Sequence, residues 1–295
     1  MIIVKIVGGL TSQMHKYALG RVLSLKYNVP LKLDLTWFDK PSIDTPWEYQ
    51  LDYFKINASV ATSKEIKRLK GNDFYNKIAR RIEKFFSVRI YKKSYINKSF
   101  ISKIEFDKLE EDIYLDGEFA GFRYFEDFEE IIKSEFTLKN ELNIKFKKLI
   151  EELNLNENTV FLHIRRGDYI SNKYAATFHS LCNLDYYYEA INIIKEKIEK
   201  PIFYIFSDDI SWAKENLLIE EPCIFIEKNQ NFEDLILMSY CKYGIAANSG
   251  FSLMAAWLNS NKNKITIIPS NWVNNKKVNK FIIDSLKQDN FRIVE

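Results

Sequence analysis

The feature that most constrains this chain is the rhythm of its second half, where short apolar, β-branched runs alternate with helical stretches. Val160–Ile164, Ile202–Phe206, Ile224–Ile226, Gly244–Ala247 and Ile265–Ile268 read as strands. Between them Asp185–Lys200, Ile210–Leu217, Phe232–Tyr240 and Phe251–Leu258 read as helices. Strands that recur at this spacing with a helix in each gap form an open parallel sheet covered on both faces. Right-handed crossovers then gather the strand-to-helix loops along one edge, where such sheets bind ligands.

The first half opens in the same way. Ile2–Val7 reads as a buried strand, Gly8 and Gly9 break it, and a helix from Ser12 to about Tyr27 follows with Thr11 or Ser12 as its N-cap. Leu31–Asp34 returns as a strand, and Ile113–Leu115 adds another. Two helices after the turn DGEFAGFRYF end near Leu153, and the polar run NLNENT at 154–159 is the natural linker. The expected division is therefore a domain over 1–153 and a second over 154–295. Residues 36–110 fit no simple pattern. They hold the Trp- and Pro-containing stretch Pro41–Trp47 and a Lys/Arg/Glu-rich helical candidate at about 63–88. That candidate reads mainly as a solvated helix face, with contact to an acceptor or a membrane surface as the minority reading.

Composition removes several classes. With 46% hydrophobic and 15% aromatic residues in 295, the chain can bury a substantial interior and is not disordered. A net charge of +3 makes no case for nucleic acid as a partner. Cys182, Cys223 and Cys241 lie far apart without a C-x-x-C, which argues against a disulfide framework or structural zinc and for a reducing compartment. The start MIIVKIVGGL reads as a strand and not as a signal peptide, and no run is long and apolar enough to span a bilayer. A soluble, cytoplasmic protein is the expectation.

Four segments sit at the sheet edges. HIRRGDY (His163–Tyr169) follows the strand Val160–Ile164. Paired guanidiniums there suit a dianionic ligand, because planar forks match phosphate oxygens and keep their charge at every working pH. The bland alternative is an internal ion pair of Arg165 or Arg166 with Asp168. FSDD (Phe206–Asp209) ends the next strand, and Asp208 and Asp209 suit the N–H pair of a base edge or ribose hydroxyls, or else cap the following helix. In NSGFSLMAAWL, Ser249, Gly250 and the exposed N–H groups at the start of an apolar helix make an anion cradle. The first turn, GGLTSQMHKYALG, lacks G-x-G-x-x-G and GK[ST]; Gly9 permits close backbone approach, while Gln13 and His15 either reach a ligand or serve only the loop. His15, His163 and His179 share no metal-ligand spacing, and no G-x-S-x-G elbow is present.

Taken together, GGL..QM..YALG, HIRRGDY, FSDD with Trp212 after it, EDLILMSYC.YGIAANSGFSL.AAWLN and the final IIPSNW resemble the bacterial α-1,2-fucosyltransferases. The resemblance implies a GT-B-like α/β fold of two Rossmann-like domains whose parallel sheets face a cleft, the first on the acceptor side and the second binding the nucleotide-sugar. It also implies a GDP-β-L-fucose donor, inversion at the anomeric carbon, no required metal, and a glycan acceptor in surface-polysaccharide (O-antigen or capsule) synthesis, carried on a lipid at the membrane face. By the same resemblance Arg165 and Arg166 hold the donor phosphates, His163 and an aspartate of FSDD contact the base, and Ser249 and Ser252 lie near the diphosphate. Independently, the sequence holds no D-x-D of the kind that carries Mg²⁺ to a nucleotide-sugar.

The sugar end departs from the family pattern. Thr11, Ser12, His15 and Lys16 stand where the family carries Gly, Asn, Phe and Gln, and Gly250, Leu253, Met254 and Tyr243 also differ. Two alternatives to fucose transfer follow: a different GDP-sugar donor, or a nucleotide- or glycan-binding protein that has lost transfer. Asp168, Glu118 and His15 are the general-base candidates.

Overall fold

The computed structural model describes residues 1–39, 47–72, 74–76, 78, 94–97, 111–118, 121–140, 143–286 and 290–294. Most of the Pro41–Trp47 stretch, the larger part of the basic segment beyond 78, and Phe119 and Ala120 of the DGEFAGFRYF turn lie outside these residues. The chain divides into two compact units, Met1–Asn140 and Glu141–Glu295.

In the first unit five strands, β1 (Ile2–Lys5), β2 (Leu31–Asp34), β3 (Ser59–Val60), β4 (Tyr95–Ile96) and β5 (Ile113–Leu115), form a parallel sheet in the order β3-β2-β1-β5-β4. Ile2, Ile3 and Val4 of the central strand are fully buried, as a strand covered on both faces requires. Helix α1 (Leu10–Tyr27) packs on β1 and buries Met14, Tyr17, Ala18 and Leu19. Two expected boundaries move. The strand stops at Lys5, not Val7, and the helix begins at Leu10 with Gly9 as its N-cap, not at Ser12. Gly8 is the cause. Its φ of +79° turns the chain sharply, so helical geometry starts two residues early and Thr11 and Ser12 fall within the first turn. Helix α2 (Ser63–Lys70) realises the start of the basic helical candidate, fixed by a Thr62–Glu65 capping box and ended at Gly71. Helix α3 (Glu129–Glu135) buries Ile132.

The described residues of the second unit form six strands, β6 (Thr159–Ile164), β7 (Ile202–Ser207), β8 (Cys223–Phe225), β9 (Tyr243–Ile245), β10 (Thr266–Pro269) and β11 (Phe291–Val294). All pair in parallel, in the order β8-β7-β6-β9-β10-β11, which is the doubly wound dinucleotide-binding order. Its helices are α4 (Ile144–Leu155), α5 (Gly167–Ser171), α6 (Lys173–Phe178), α7 (Leu184–Lys195), α8 (Ile210–Asn216), α9 (Asn231–Tyr240), α10 (Gly250–Leu258) and α11 (Lys276–Leu286). One apolar core runs from Val160, Leu162 and Ile164 through Tyr186, Tyr187, Ala190 and Ile194 to Phe203 and Ile205.

The linker expected at 154–159 is not one. Asn154 and Leu155 are the last turn of α4, whose Phe146 and Leu153 are buried, and only Asn156–Asn158 turn before β6. The compact units accordingly separate after Asn140 and not after Leu153. The short α5 and α6 and the closing α11–β11 pair are additions that the strand–helix rhythm did not announce.

Among the described residues no helix is long and apolar enough to cross a membrane. All three cysteines carry free thiols.

Candidate active site

Strand order in the second sheet reverses between β6 and β9: the chain steps outward through β7 and β8, then returns to the other side of β6. A reversal leaves a crevice at the carboxyl ends of the two central strands. HIRRGDY leaves β6 there, NSG leaves β9 there, and FSDD leaves the adjacent β7. The three segments are tied together. The Tyr169 hydroxyl donates to the Asn248 carbonyl at 3.0 Å. Asn248 in turn donates through Nδ2 to the carbonyls of Ser180 (2.5 Å) and Trp272 (3.1 Å). Asp208 joins FSDD to HIRRGDY by accepting the Arg166 backbone N–H at 2.8 Å.

The two arginines are not equivalent. Arg165 lies between two carboxylates, with Nη2 2.9 Å from Asp168 Oδ1 and Nη1 3.0 Å from Asp208 Oδ2. Its charge is matched inside the loop. Arg166 instead spreads its guanidinium over the Trp212 ring, 3.7 Å from the centroid. Its nearest carboxylate, Asp209 Oδ2, stands 3.8 Å from Nε, and that buried Nε has no hydrogen-bond partner. An aromatic face orients a cation without neutralising it. Arg166 is therefore the more loosely paired of the two guanidiniums, facing one carboxylate at 3.8 Å where Arg165 meets two at 2.9–3.0 Å.

The aspartates divide in a similar way. Asp208 is engaged through both oxygens, and a Cβ on Gly167 would stand 3.0 Å from its Oδ2, so any other residue at 167 would push that carboxylate by a few tenths of an ångström. Asp209 caps α8 by accepting the Trp212 N–H at 3.2 Å. Asp168 sits in the first turn of α5 beside Arg165.

His163 is 4% exposed at the end of β6, its ring 5.6 Å from that of Phe251 and its Nδ1 without a partner. Burial, and then the Arg165 charge, push its pKa down to about 3, so the imidazole is neutral. At the third loop Ser249 caps α10 by accepting the Phe251 N–H at 3.3 Å. Ser252 is fully buried and turns its hydroxyl back to the Ala247 and Ser249 carbonyls. Both serines shape the turn, and the first N–H groups of α10 remain as the anion-seeking feature.

In the first unit Gln13 is fully engaged. Its Nε2 donates to the Gly8 and Glu48 carbonyls (2.9 and 2.8 Å), and its Oε1 accepts the Gln50 N–H at 2.9 Å. A Cβ on Gly9 would meet the Trp47 ring at 3.2 Å. These two expected ligand contacts are thus occupied in fastening residues 47–50 to the turn. His15 lies against Phe122 and Phe125, its Nδ1 enclosed and unpartnered, and burial and then Lys16 push its pKa down to about 4. Glu118 pairs with Lys16 at 2.9 Å.

Sequence reasoning passed over Tyr169, Asn248 and the role of Trp212. Tyr169 stacks on His179 (4.3 Å between centroids, 6° between planes) while bonding Asn248. The signal for each was present in the motifs, but a tie between loops is visible only once the loops share an edge. Among the described residues no group of three or more His, Cys, Asp or Glu gathers as a metal site.

The family model described as Glycosyl transferase family 11 matches residues 63–293. An α-1,2-colitosyltransferase of Escherichia coli is 34% identical over 285 residues, covering 95% of each chain. The O-antigen biosynthesis glycosyltransferase WbnK of Escherichia coli is 34% identical over 303 residues, covering 94% of this chain and 97% of its own. Among solved structures, NodZ α-1,6-fucosyltransferase soaked with GDP-fucose superposes with a TM-score of 0.52 at 13% identity, covering 87% of this chain and 92% of its own. That likeness shows a shared fold, the GT-B-like one of two parallel-sheet units. By family model and by near full-length relatives, this chain belongs to glycosyl transferase family 11.

Proposed function

We propose that this protein is an inverting glycosyltransferase that moves L-fucose, or a related sugar such as colitose, from its GDP-activated form to a hydroxyl of a galactoside-type glycan. The new link is α-1,2 and the product enters a surface polysaccharide. The names of the full-length relatives support the linkage and the O-antigen setting. The observation that carries the reading is Arg166, a guanidinium stacked on Trp212 and only loosely paired with Asp209, in the loop after β6, which Tyr169–Asn248 ties to the helix start at Gly250.

The second unit holds the nucleotide-sugar and the first takes the acceptor side. The acceptor oxygen attacks the anomeric carbon and gives its proton to a general base, for which Asp168, Glu118 and His15 are the candidates, as the new C–O bond forms, while the bond to the diphosphate breaks and its electron pair leaves with GDP. Arg166 and the first amides of α10 face that growing negative charge, which favours the transition state over the ground state. Arg165 holds Arg166's loop in shape, Asp209 offers its outer oxygen to the base or ribose, and no metal takes part. The acceptor is lipid-linked on the cytoplasmic membrane face. Phe74 and Tyr75, 73% and 69% exposed at the head of a basic stretch, support peripheral contact there.

Calorimetric titration with GDP and UDP, followed by NMR of the product from GDP-L-fucose and a β-galactoside, tests the proposal. GDP binding at least tenfold tighter than UDP and an α-configured product are expected. Binding without any product, from any GDP-sugar, would leave a binding protein instead.

A further inference from the structure

The first sheet also reverses its strand order, between β1 and β5, and the Gly8–Gly9 turn and Asp116–Glu118 follow these two strands at their carboxyl ends, the place where open parallel sheets form a crevice. The residues gathered there are costly to place. Lys16 is 2% exposed, and a buried ammonium is a net loss to stability unless well paired. Its Nζ donates to Ser12 Oγ at 3.1 Å and to Glu118 Oε2 at 2.9 Å. The two carboxylates that follow β5 differ sharply. Asp116 is 18% exposed and engaged by Lys5 at 3.5 Å and by the Tyr95 hydroxyl at 2.7 Å. Glu118 is 60% exposed, and among the described residues only its Oε2 has a partner. The Ser12 hydroxyl faces the turn, 3.3 Å from where a Cβ on Gly8 would stand. Since that oxygen accepts from Lys16, its O–H hydrogen is left to donate.

We infer that Ser12 and Glu118, held apart by Lys16, form a recognition site for a pyranose bearing adjacent free hydroxyls. One sugar hydroxyl donates to the free Glu118 oxygen, and its neighbour accepts from the Ser12 hydroxyl. Lys16 is the positioning residue: a single cation polarises both arms and fixes their separation. The inference rests on the glycosyltransferase reading for the presence of a sugar, but it concerns the first unit's own crevice. The sugar belongs either to the donor or to the acceptor, and the test separates them.

Wild type, Ser12→Ala, Glu118→Gln and Lys16→Met are compared in three measurements: GDP affinity, the ratio of GDP-L-fucose to GDP affinity, and binding of a methyl β-galactoside followed by saturation-transfer NMR. GDP affinity stays within twofold in all variants. A hydrogen bond to a charged group is worth about 10- to 100-fold, so Glu118→Gln weakens one of the two sugar readouts by about that factor. Ser12→Ala weakens the same readout by less, and Lys16→Met by at least as much as Glu118→Gln. Loss in the affinity ratio assigns the crevice to the donor sugar; loss in the galactoside signal assigns it to the acceptor. Both partly exposed residues are replaced without loss of core, so an unchanged thermal midpoint in Ser12→Ala and Glu118→Gln shows that folding is intact. If both sugar readouts match wild type in those folded variants, the inference is overturned. Failure of the glycosyltransferase reading looks different: wild type then forms no product from any GDP-sugar, whatever the two sugar readouts show.

Discussion

Arg166 lies with its guanidinium 3.7 Å above the Trp212 ring, while the neighbouring Arg165 is held between Asp168 and Asp208. One arginine is thus kept by an aromatic face and the other by carboxylates. Only the first arrangement leaves the charge available to a ligand. Arg166→Ala is expected to lower turnover by about 10²–10³-fold, the usual cost of removing one donor to a developing anion. The thermal midpoint should move little, because no hydrogen bond of the loop ends on that side chain. Turnover within threefold of wild type would remove Arg166 from the mechanism.

Trp212 then becomes a positioning residue whose effect runs through Arg166. A cation–π contact is worth about 0.5–2 kcal/mol, so Trp212→Leu should weaken GDP binding by about 3- to 30-fold. Trp212→Phe, which keeps an aromatic face, should restore most of the loss. In the Arg166→Ala background neither substitution should alter GDP affinity further. Additive losses would instead mean that Trp212 supports the fold independently.

Gly167 and Asp208 should behave as a structural pair. A Cβ at Gly167 would stand 3.0 Å from Asp208 Oδ2, and that carboxylate holds both the Arg166 N–H and the Arg165 guanidinium. Gly167→Ala and Asp208→Ala should each destabilise the protein by about 1–3 kcal/mol in urea titration, since each leaves polar groups of the loop unpaired. Both should also weaken GDP binding. Retention of full stability with loss of GDP binding would instead make Asp208 a direct ligand of the nucleotide.

Chelation gives a separate check on the leaving-group scheme. If Arg166 and the helix start provide the positive charge, dialysis against EDTA should leave turnover unchanged, and added Mg²⁺ or Mn²⁺ should change it by less than twofold. Loss of activity on chelation, restored by one of these ions, would show that the charge at the diphosphate is supplied by a metal.

Much of the fold was legible because parallel strands buried on both faces leave an unmistakable run of β-branched residues; β6, β7 and α10 lie within one or two residues of their expected bounds. Boundaries failed where backbone conformation outweighed side-chain preference. Thr11 and Ser12 look like N-caps, but the positive φ of Gly8 hands that place to Gly9. The run NLNENT looks like a linker, but Phe146 and Leu153 carry α4 into it. At the site, the sequence placed Arg165, Arg166, Asp208 and Asp209 on one edge without distinguishing them. That distinction depends on which carboxylate each side chain meets across the loops, and neighbouring residues in a motif carry no record of it.

Two enclosed histidines make stability depend on pH with a definite sign. His15 and His163 have pKa values pushed down to about 4 and about 3, each mainly by burial, from an ordinary value near 6.5. The unfolded chain binds protons at these sites below about pH 6.5, while the folded chain does not until pH 4 or lower. Stability is therefore fully present above pH 6.5 and falls as the pH drops, by up to about 1.4 kcal/mol per pH unit for each histidine. Asp234 acts in the opposite direction. Burial raises its carboxyl to about 6, so between its ordinary value near 3.8 and 6 the folded state is the one that binds the proton, and acid favours folding. Two protons taken by the unfolded chain against one by the folded chain leave a net slope of about one proton near pH 5. Urea titrations at pH 7, 6 and 5 should show stability decreasing steadily. Asp234→Asn should steepen the fall, and His163→Gln should reduce it. A flat profile in the wild-type protein would mean that one of the two imidazoles binds its proton within the folded structure, and stability rising toward acid would mean that both do.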